Sequence, residues 1–213
     1  MNNKKIYSCS IEVMNSIVSS NFDIASHNNG VGKNPSAHMS EAVIQNIIVS
    51  NLRRRLPTDC FDNIISENKS VGVNNLIPDI IIRKPAGNDI FAIFELKTLF
   101  SEDNLTNQNV RKDLNKLCQY KSTHNGALCC FILAAEKNKA STSGQDILAP
   151  LAIVPSAFTS PKNRPTKIGD NFYAIPWMSS QAELGVEIYL WRVCHKDNLE
   201  DNVSGKYKFN ISF

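Results

Sequence analysis

Two apolar segments joined by a turn decide the fold of this chain: Asp79-Ile80-Ile81-Ile82-Arg83 and Ile90-Phe91-Ala92-Ile93-Phe94-Glu95-Leu96-Lys97-Thr98. Both segments are rich in β-branched and aromatic residues, which favour strands. The residues between them, Lys84-Pro85-Ala86-Gly87-Asn88-Asp89, have the composition of a turn. The two segments therefore predict an antiparallel hairpin.

Helical patterns lie on both sides of this hairpin. Ser40 is predicted to cap a helix that stops before Pro57. The apolar residues of this helix form one continuous stripe: Ile44, Ile47, Ile48 and Leu52. A second helix is predicted over residues 107–121. An earlier helical pattern covers residues 4–18, and the stretch from Asn28 to Pro35 is interpreted as a loop, because glycine, asparagine and proline interrupt it.

Further apolar runs predict additional strands, at residues 61–66, 127–135, 172–175 and 186–193. The run over 127–135 is continuously apolar, as is typical of a strand covered on both faces. The order of elements predicts a single α/β domain over residues 1–213, with a central mixed sheet, helices that flank it and additional C-terminal strands. Its parts are an N-terminal helix and loop (1–39), a core in αβββαβ order (40–135) and a C-terminal extension (136–213).

The composition is that of an ordinary globular protein. The chain has 213 residues, 42% of them hydrophobic and 20% charged, with a formal net charge of +3. This charge excludes a histone-like polycation but not a nucleic-acid partner. Six cysteines without a C-x-x-C pair, no signal-peptide pattern and no run long enough to cross a membrane predict a cytoplasmic protein with reduced thiols.

Charged side chains interrupt the apolar hairpin at one end. Glu95 and Lys97 lie two apart on one strand and should therefore share a face, and the hairpin should bring Asp79 alongside them. Charges in so apolar a setting are costly unless cations or a metal compensate them. Two carboxylates beside one lysine predict a site for a hard divalent cation with oxygen ligands, most plausibly Mg²⁺.

These residues carry a resemblance to a known family. Ile77-Pro78-Asp79, followed on the next strand by Glu95-Leu96-Lys97, resembles the signature of the PD-(D/E)xK nuclease superfamily, which includes many type II restriction endonucleases. The order of the flanking elements also resembles that of the superfamily: a helix that carries a glutamate precedes the hairpin, and a helix and a strand follow it. Glu41 fits this glutamate and is expected on the buried face of its helix. Lys116-Leu117-Cys118-Gln119-Tyr120 resembles the Q-L-x-x-Y element of some members, with lysine in place of glutamine.

The resemblance implies a restriction-endonuclease-like core and a metal-dependent mechanism. Asp79, Glu95 and the backbone carbonyl of Leu96 would hold one or two Mg²⁺ ions, with Mn²⁺ able to substitute, and Glu41 would complete the ligands directly or through water. The metal would activate a water and neutralise charge at phosphorus. Lys97 would orient or deprotonate that water and contact the scissile phosphate. Glu41, Asp79, Glu95 and Lys97 are thus the expected catalytic residues.

The resemblance also implies the partners. The expected substrate is double-stranded DNA, cut in a sequence-specific manner by a homodimer, as in type II restriction enzymes. Repair, phage and toxin nucleases share the fold, and a non-catalytic DNA-binding module that kept it is an alternative of a different class. Trp177 and Trp191 are interpreted as core or interface residues, and the scattered histidines suggest no metal or catalytic site.

Basic residues are candidates for contact with DNA phosphates. The middle segment, residues 58–136, has a net charge of −2, whereas residues 1–57 and 137–213 carry +3 and +2. This distribution is typical of carboxylates gathered for a metal, with cations around them for phosphate. The candidates for DNA contact are Arg53, Arg54, Arg55, Arg111, Lys112, Lys116, Lys162, Arg164 and Lys167.

Overall fold

The predicted hairpin lies within an open, mixed β-sheet. The computed structural model describes residues 3–30, 39–56, 63–66, 76–84, 89–100, 104–136, 139, 165–180 and 185–199. The helices are α1 (Asn3–Val18), α2 (Ser20–Gly30), α3 (Glu41–Arg55) and α4 (Asn107–Thr123). The strands are β1 (Asn63–Ser66), β2 (Ile80–Arg83), β3 (Ile90–Leu99), β4 (Leu128–Glu136), β5 (Thr166–Lys167), β6 (Phe172–Ser180) and β7 (Val186–His195).

The sheet has the order β1-β2-β3-β4-β7-β6-β5. Strands β2 and β3 are antiparallel, which confirms the hairpin, and the only parallel pair among the described strands is β3 with β4. Helix α4 connects these two parallel strands, as a crossover connection requires. The series α3-β1-β2-β3-α4-β4 confirms the predicted element order, and the C-terminal strands extend the same sheet beyond β4.

Helices cover both faces of the sheet. Helices α1, α2 and α3 pack on one face, in a core that contains Phe94 and Leu96 of β3. Helix α4 packs on the other face, against Ile93 and Leu99 of the same strand. Strand β3 is therefore buried on both sides, so the charged residues that it carries must find their partners inside the protein.

Helices α3 and α4 begin at side-chain caps. The N–H of Val43 donates to the Ser40 hydroxyl at 3.4 Å, which confirms the predicted cap of α3. At α4, Thr106 and Asn109 form a capping box, in which each side chain accepts a hydrogen bond from the other's backbone N–H. These caps set where the two helices start, and both starts lie close in sequence to charged residues of the predicted site.

Some sequence predictions need correction. Residues Asn28 to Gly30 belong to the end of α2, so the interruption there is shorter than predicted, because a helix C-terminus accommodates asparagine and glycine. Strand β2 begins at Ile80, and Asp79 precedes it rather than opening it. Strand β6 extends to Ser180, past Pro176, where its register with β7 shifts. Most of the predicted loop after Gly30 lies outside the described residues, as does a further apolar run of the sequence at 148–154.

The described cysteines and tryptophans lie in or against the core. The five cysteines that the structure describes are free thiols, and four of them are buried. Trp191 is a core residue, only 1% exposed, and Trp177 packs partly buried on the opposite face with Arg192 over its ring. Among the described helices, none is long and apolar enough to cross a membrane.

The capping box of α4 gives a test of the fold. Thr106→Ala removes the hydroxyl that accepts from Asn109 N–H and should lower the free energy of unfolding by about 1 kcal/mol. Urea denaturation measures this change. Thr123→Ala, at the exposed last residue of the same helix, is the matched control and should not destabilise the protein. Equal stability of the Thr106 variant and the wild type would contradict the assigned cap.

Candidate active site

The predicted acidic pair forms at the end of the hairpin. The register of β2 with β3 pairs Ile80 with Phe94, so Asp79, one residue earlier, lies beside Glu95. The Asp79 carboxylate accepts a hydrogen bond from the backbone N–H of Leu96 at 2.6 Å. Gln45 of α3 donates to the Asp79 carbonyl at 2.5 Å and is itself buried. A hydrogen bond from β3 thus fixes the side chain of Asp79, and a hydrogen bond from α3 fixes its main chain.

The ammonium group of Lys97 contacts residues of α3, α4 and its own strand β3. Its Nζ donates to both carboxylate oxygens of Glu41 at 3.1 Å, and to the carbonyl of Leu96 at 2.9 Å. The same Nζ lies 3.1 Å from Oδ2 of Asp113 on α4. The Lys97 side chain is 18% exposed, so this ammonium group makes its contacts near the surface but is mostly shielded from water.

Glu41 is less buried than its sequence position predicts. It is the first residue of α3, and its side chain is 40% exposed rather than turned into the core. The expectation of a buried face was wrong, because Glu41 lies in the first turn of α3, where its neighbours Ser40 and Ala42 are exposed. The carboxylate still reaches Lys97 from this position, so Glu41 takes part in the charged cluster as predicted.

Glu95 is the most buried member of the cluster, with none of its surface exposed. Its Oε2 accepts from Lys116 Nζ of α4 at 2.6 Å, whereas its Oε1 is buried without a hydrogen-bond partner among the described residues. Lys116 Nζ also lies 3.1 Å from Oδ1 of Asp113. The sequence predicted a DNA-contacting lysine at 116, but its side chain is only 16% exposed because two carboxylates draw it inward.

Burial disfavours the charged forms of three carboxylates in this cluster and raises their pKa values. Burial raises the pKa of Glu95 to about 9, and the neighbouring Asp79 adds to the shift against the opposing effect of Lys116. Burial also raises the pKa of Asp79 and of Glu41. Burial alone would lower the pKa of Lys97, but the surrounding carboxylates, Asp113 first, raise it overall. The ionised forms of Glu41, Asp79 and Glu95 are therefore less favourable here than in water.

A divalent cation suits this imbalance. Four carboxylates, those of Glu41, Asp79, Glu95 and Asp113, surround two ammonium groups, a formal net charge of −2 when all are ionised. The unpartnered Glu95 oxygen adds an acceptor of the kind that Mg²⁺ prefers. No group of three or more His, Cys, Asp or Glu side chains in the described part of the chain is already arranged to hold a metal ion. The donors fit Mg²⁺ in chemistry and charge, and lysine nitrogens contact several of them here.

The other predicted basic residues lie in different places. Arg53 donates to the Ile64 carbonyl at 2.8 Å, and Arg54 pairs with Asp23 at 3.2 Å. With Arg55 they occupy the last turn of α3, roughly 20 Å from Glu41 at about 1.5 Å rise per residue. Their positions suit the negative end of the helix dipole.

The remaining predicted basic residues lie on α4, on β5 or outside the described residues. Arg111 and Lys112 are exposed on α4, in the turns that also carry Asp113 and Lys116. Arg111 donates to the Asn107 side chain at 2.8 Å. Lys167 is exposed on β5, at one edge of the sheet, and Lys162 and Arg164 lie outside the described residues. Contact of these residues with DNA stays a prediction.

Sequence reasoning missed Asp113 and Gln45, and it noted Tyr120 only within the resemblance to the Q-L-x-x-Y element. Asp113 and Gln45 are buried, and each contacts a predicted site residue or its neighbour. Tyr120 is buried with no hydrogen-bond partner for its hydroxyl among the described residues. Burial, and after it the charge of Glu95, raises the pKa of this phenol. The available signal was positional, because Asp113 lies directly before Leu114 on the apolar face of α4, where an acidic residue is otherwise unfavourable.

The chain matches no protein-family model, and no curated protein or solved structure is significantly similar to it. The arrangement and chemistry of these side chains are therefore the basis for a function.

The burial of Glu95 predicts a gain in stability when its charge is removed. Glu95→Gln keeps the shape, removes the repulsion with Asp79 and leaves Lys116 its contact with Asp113, so the free energy of unfolding should rise by about 1 kcal/mol. Urea denaturation at pH 7 in EDTA measures this. The exposed Glu12→Gln is the control and should be neutral.

The pH dependence of the same variant has a defined sign. A carboxyl whose pKa is raised from 4.5 to about 9 binds more protons in the folded state, so stability falls as pH rises through that interval. The wild type should lose stability between pH 5 and pH 9 more steeply than Glu95→Gln. Parallel pH profiles, or a destabilised variant, would contradict the unfavourable burial of this charge.

Proposed function

We propose that this protein is a Mg²⁺-dependent endonuclease that hydrolyses phosphodiester bonds of double-stranded DNA. The observation that carries the proposal is the convergence of Glu41, Asp79, Glu95 and Lys97 at one end of β3. Charges in a sheet interior cost free energy, so a cluster of this kind is expected where chemistry requires it. The raised pKa values of the three carboxylates favour a site that gains a cation.

The element order supports a core of the restriction-endonuclease type. The hairpin β2-β3 supplies Asp79 and Glu95, and α4 leads from β3 to the parallel strand β4. This is the αβββαβ series that the motif resemblance implies. The catalytic strand lies inside the sheet, with strands on both sides, so its charged residues have a rigid support.

Each residue of the site has a proposed role. Asp79 and Glu95, with the Leu96 carbonyl, would hold the cation, and Glu41 would complete its ligands directly or through water. Bound Mg²⁺ would supply Lewis-acid stabilisation of the charge at phosphorus and a more acidic water. Lys97 would contact the scissile phosphate and orient the attacking water. The buried surroundings of Glu95 keep bulk water away from the reacting groups.

A sequence-specific enzyme of the type II restriction class is the form of nuclease that we favour. The described C-terminal strands β5, β6 and β7 extend the sheet beyond β4, which supplies surface outside the catalytic core. Cutting both strands of a palindromic site would require a homodimer in which each subunit contributes one site. Repair, phage and toxin nucleases of the same fold differ from this in substrate rather than in chemistry.

Incubation with a long duplex DNA tests the proposal directly. With Mg²⁺ present we expect discrete fragments, and with EDTA no cleavage. A smear in place of discrete fragments would favour a nonspecific nuclease. No cleavage of duplex, single-stranded or branched DNA would contradict the enzyme and favour the alternative below.

Two substitutions should abolish the activity without unfolding the protein. Asp79→Ala and Lys97→Ala remove a proposed metal ligand and the proposed phosphate contact, so Mg²⁺-dependent cleavage should fall at least about 100-fold. Asp170→Ala and Lys196→Ala, at exposed positions, are the matched controls and should cleave normally. Circular dichroism checks the fold of each variant. Full activity of either site variant on duplex DNA would overturn the assignment.

Arg111 and Lys112 should contribute to DNA affinity through phosphate contact. Replacing both by alanine should weaken binding and reduce the slope of log K against log salt by roughly 0.9 per lost contact. Fluorescence anisotropy in EDTA at several salt concentrations measures this. Arg54→Ala, at the far end of α3, tests the other basic group with the same readout. An unchanged salt slope in the double variant would exclude these two residues from the interface.

One observation favours an alternative of a different class, a non-catalytic DNA-binding module that kept the fold. In the described residues, no group of three metal-ligating side chains is ready for a cation, and lysines contact Glu41 and Glu95. Such a module would bind duplex DNA without Mg²⁺ and without cleavage. We favour the enzyme because the four residues of the motif are all present and in mutual reach.

A further inference from the structure

We propose that Asp113 of α4 is a positioning residue that holds the ammonium group of Lys97 at the active site. The inference rests on the proposed function and extends it to a residue outside the motif. Asp113 is 3% exposed. Its Oδ2 lies 3.1 Å from Lys97 Nζ, an ion pair without hydrogen-bond geometry, and its Oδ1 lies 3.1 Å from Lys116 Nζ. It is the one described carboxylate that contacts both lysines.

In the proposed mechanism, the position of the Lys97 ammonium group depends on its contact with Asp113. Lys97 Nζ now contacts Glu41, the Leu96 carbonyl and Asp113. Glu41 and the Leu96 carbonyl are proposed ligands of the cation, and coordination would weaken their attraction for the Lys97 ammonium group. Asp113 is then the remaining acidic partner among the contacts described, and it approaches from α4, on the side of β3 toward which Glu95 also points.

The surroundings of Asp113 make it suitable as a fixed support. It lies within α4, between the buried residues Val110 and Leu114, so helix packing restricts its position. Its second oxygen contacts Lys116, which in turn holds Oε2 of Glu95 and leaves Oε1 without a hydrogen bond. One helix therefore orients both the lysine and a carboxylate of the site. Groups that orient catalytic residues in this way typically contribute about 10- to 100-fold in rate.

Steady-state kinetics on duplex DNA test the role. Asp113→Asn should lower kcat by about 10- to 100-fold and leave KM within about twofold, and Asp113→Glu should restore part of the rate. In the Lys97→Ala background, Asp113→Asn should cause little further loss, because the effect passes through Lys97. Asp170→Asn, at an exposed aspartate, is the control with wild-type kinetics.

Two readouts do not depend on cleavage. Calorimetric titration with Mn²⁺ should give the same affinity for the wild type and Asp113→Asn, since Asp113 is a positioning residue and not a ligand. In ¹⁵N NMR of lysine ammonium groups, the Lys97 signal, assigned through its loss in Lys97→Arg, should be sharp in the wild type and broadened in Asp113→Asn. A Lys97 signal that stays sharp in Asp113→Asn, or that is already broad in the wild type, would overturn the positioning role, and weaker Mn²⁺ binding would reassign Asp113 as a ligand.

The outcomes separate this inference from the proposed function. A wild-type protein that cleaves DNA, together with an unchanged kcat in Asp113→Asn, would overturn the role of Asp113 alone. A wild-type protein without cleavage of any DNA would overturn the proposed function and the catalytic role of Asp113 with it. The NMR result would then still decide whether Asp113 holds Lys97.

Discussion

The carboxylate of Glu95 lies in a strand that is paired on both edges and covered on both faces, and none of its surface is exposed. A charge in that position requires a nearby cation, and Lys116 of α4 supplies it at 2.6 Å. Lys116 contacts Asp113, Asp113 contacts Lys97, and Lys97 contacts Glu41. These ion pairs form a chain of alternating charge that runs from the buried Glu95 to Glu41 in the first turn of α3.

The sequence predicted the hairpin and the motif residues because both depend on local rules. Alternation along a strand puts Glu95 and Lys97 on one face, and the antiparallel pairing brings Asp79 next to them. Ser40 predicted the start of α3 in the same local way, through its side-chain cap. The element order of the core followed from these patterns together with the long apolar run that became β4.

The rest depended on contacts between distant segments, which sequence patterns do not encode. Nothing local indicates that Lys116 turns toward Glu95, and an exposed lysine on a polar helix was the simpler expectation. The partial exposure of Glu41 follows from its place in the first turn of α3, which its spacing to Ile44 and Ile48 does not reveal. Strand β6 runs through Pro176 because its register shifts there, and propensity alone would have ended it.

The position of β4 between β3 and β7 has a consequence for how the protein folds. About fifty residues separate the end of β4 from the start of β7, so this pairing closes a long loop and is expected to form slowly. Until it forms, an almost wholly apolar strand has one edge unpaired. Such an edge is a template for association with other chains. In the folded protein β7 covers this edge, so the C-terminal strands remove a site of aggregation, whatever they contribute to binding.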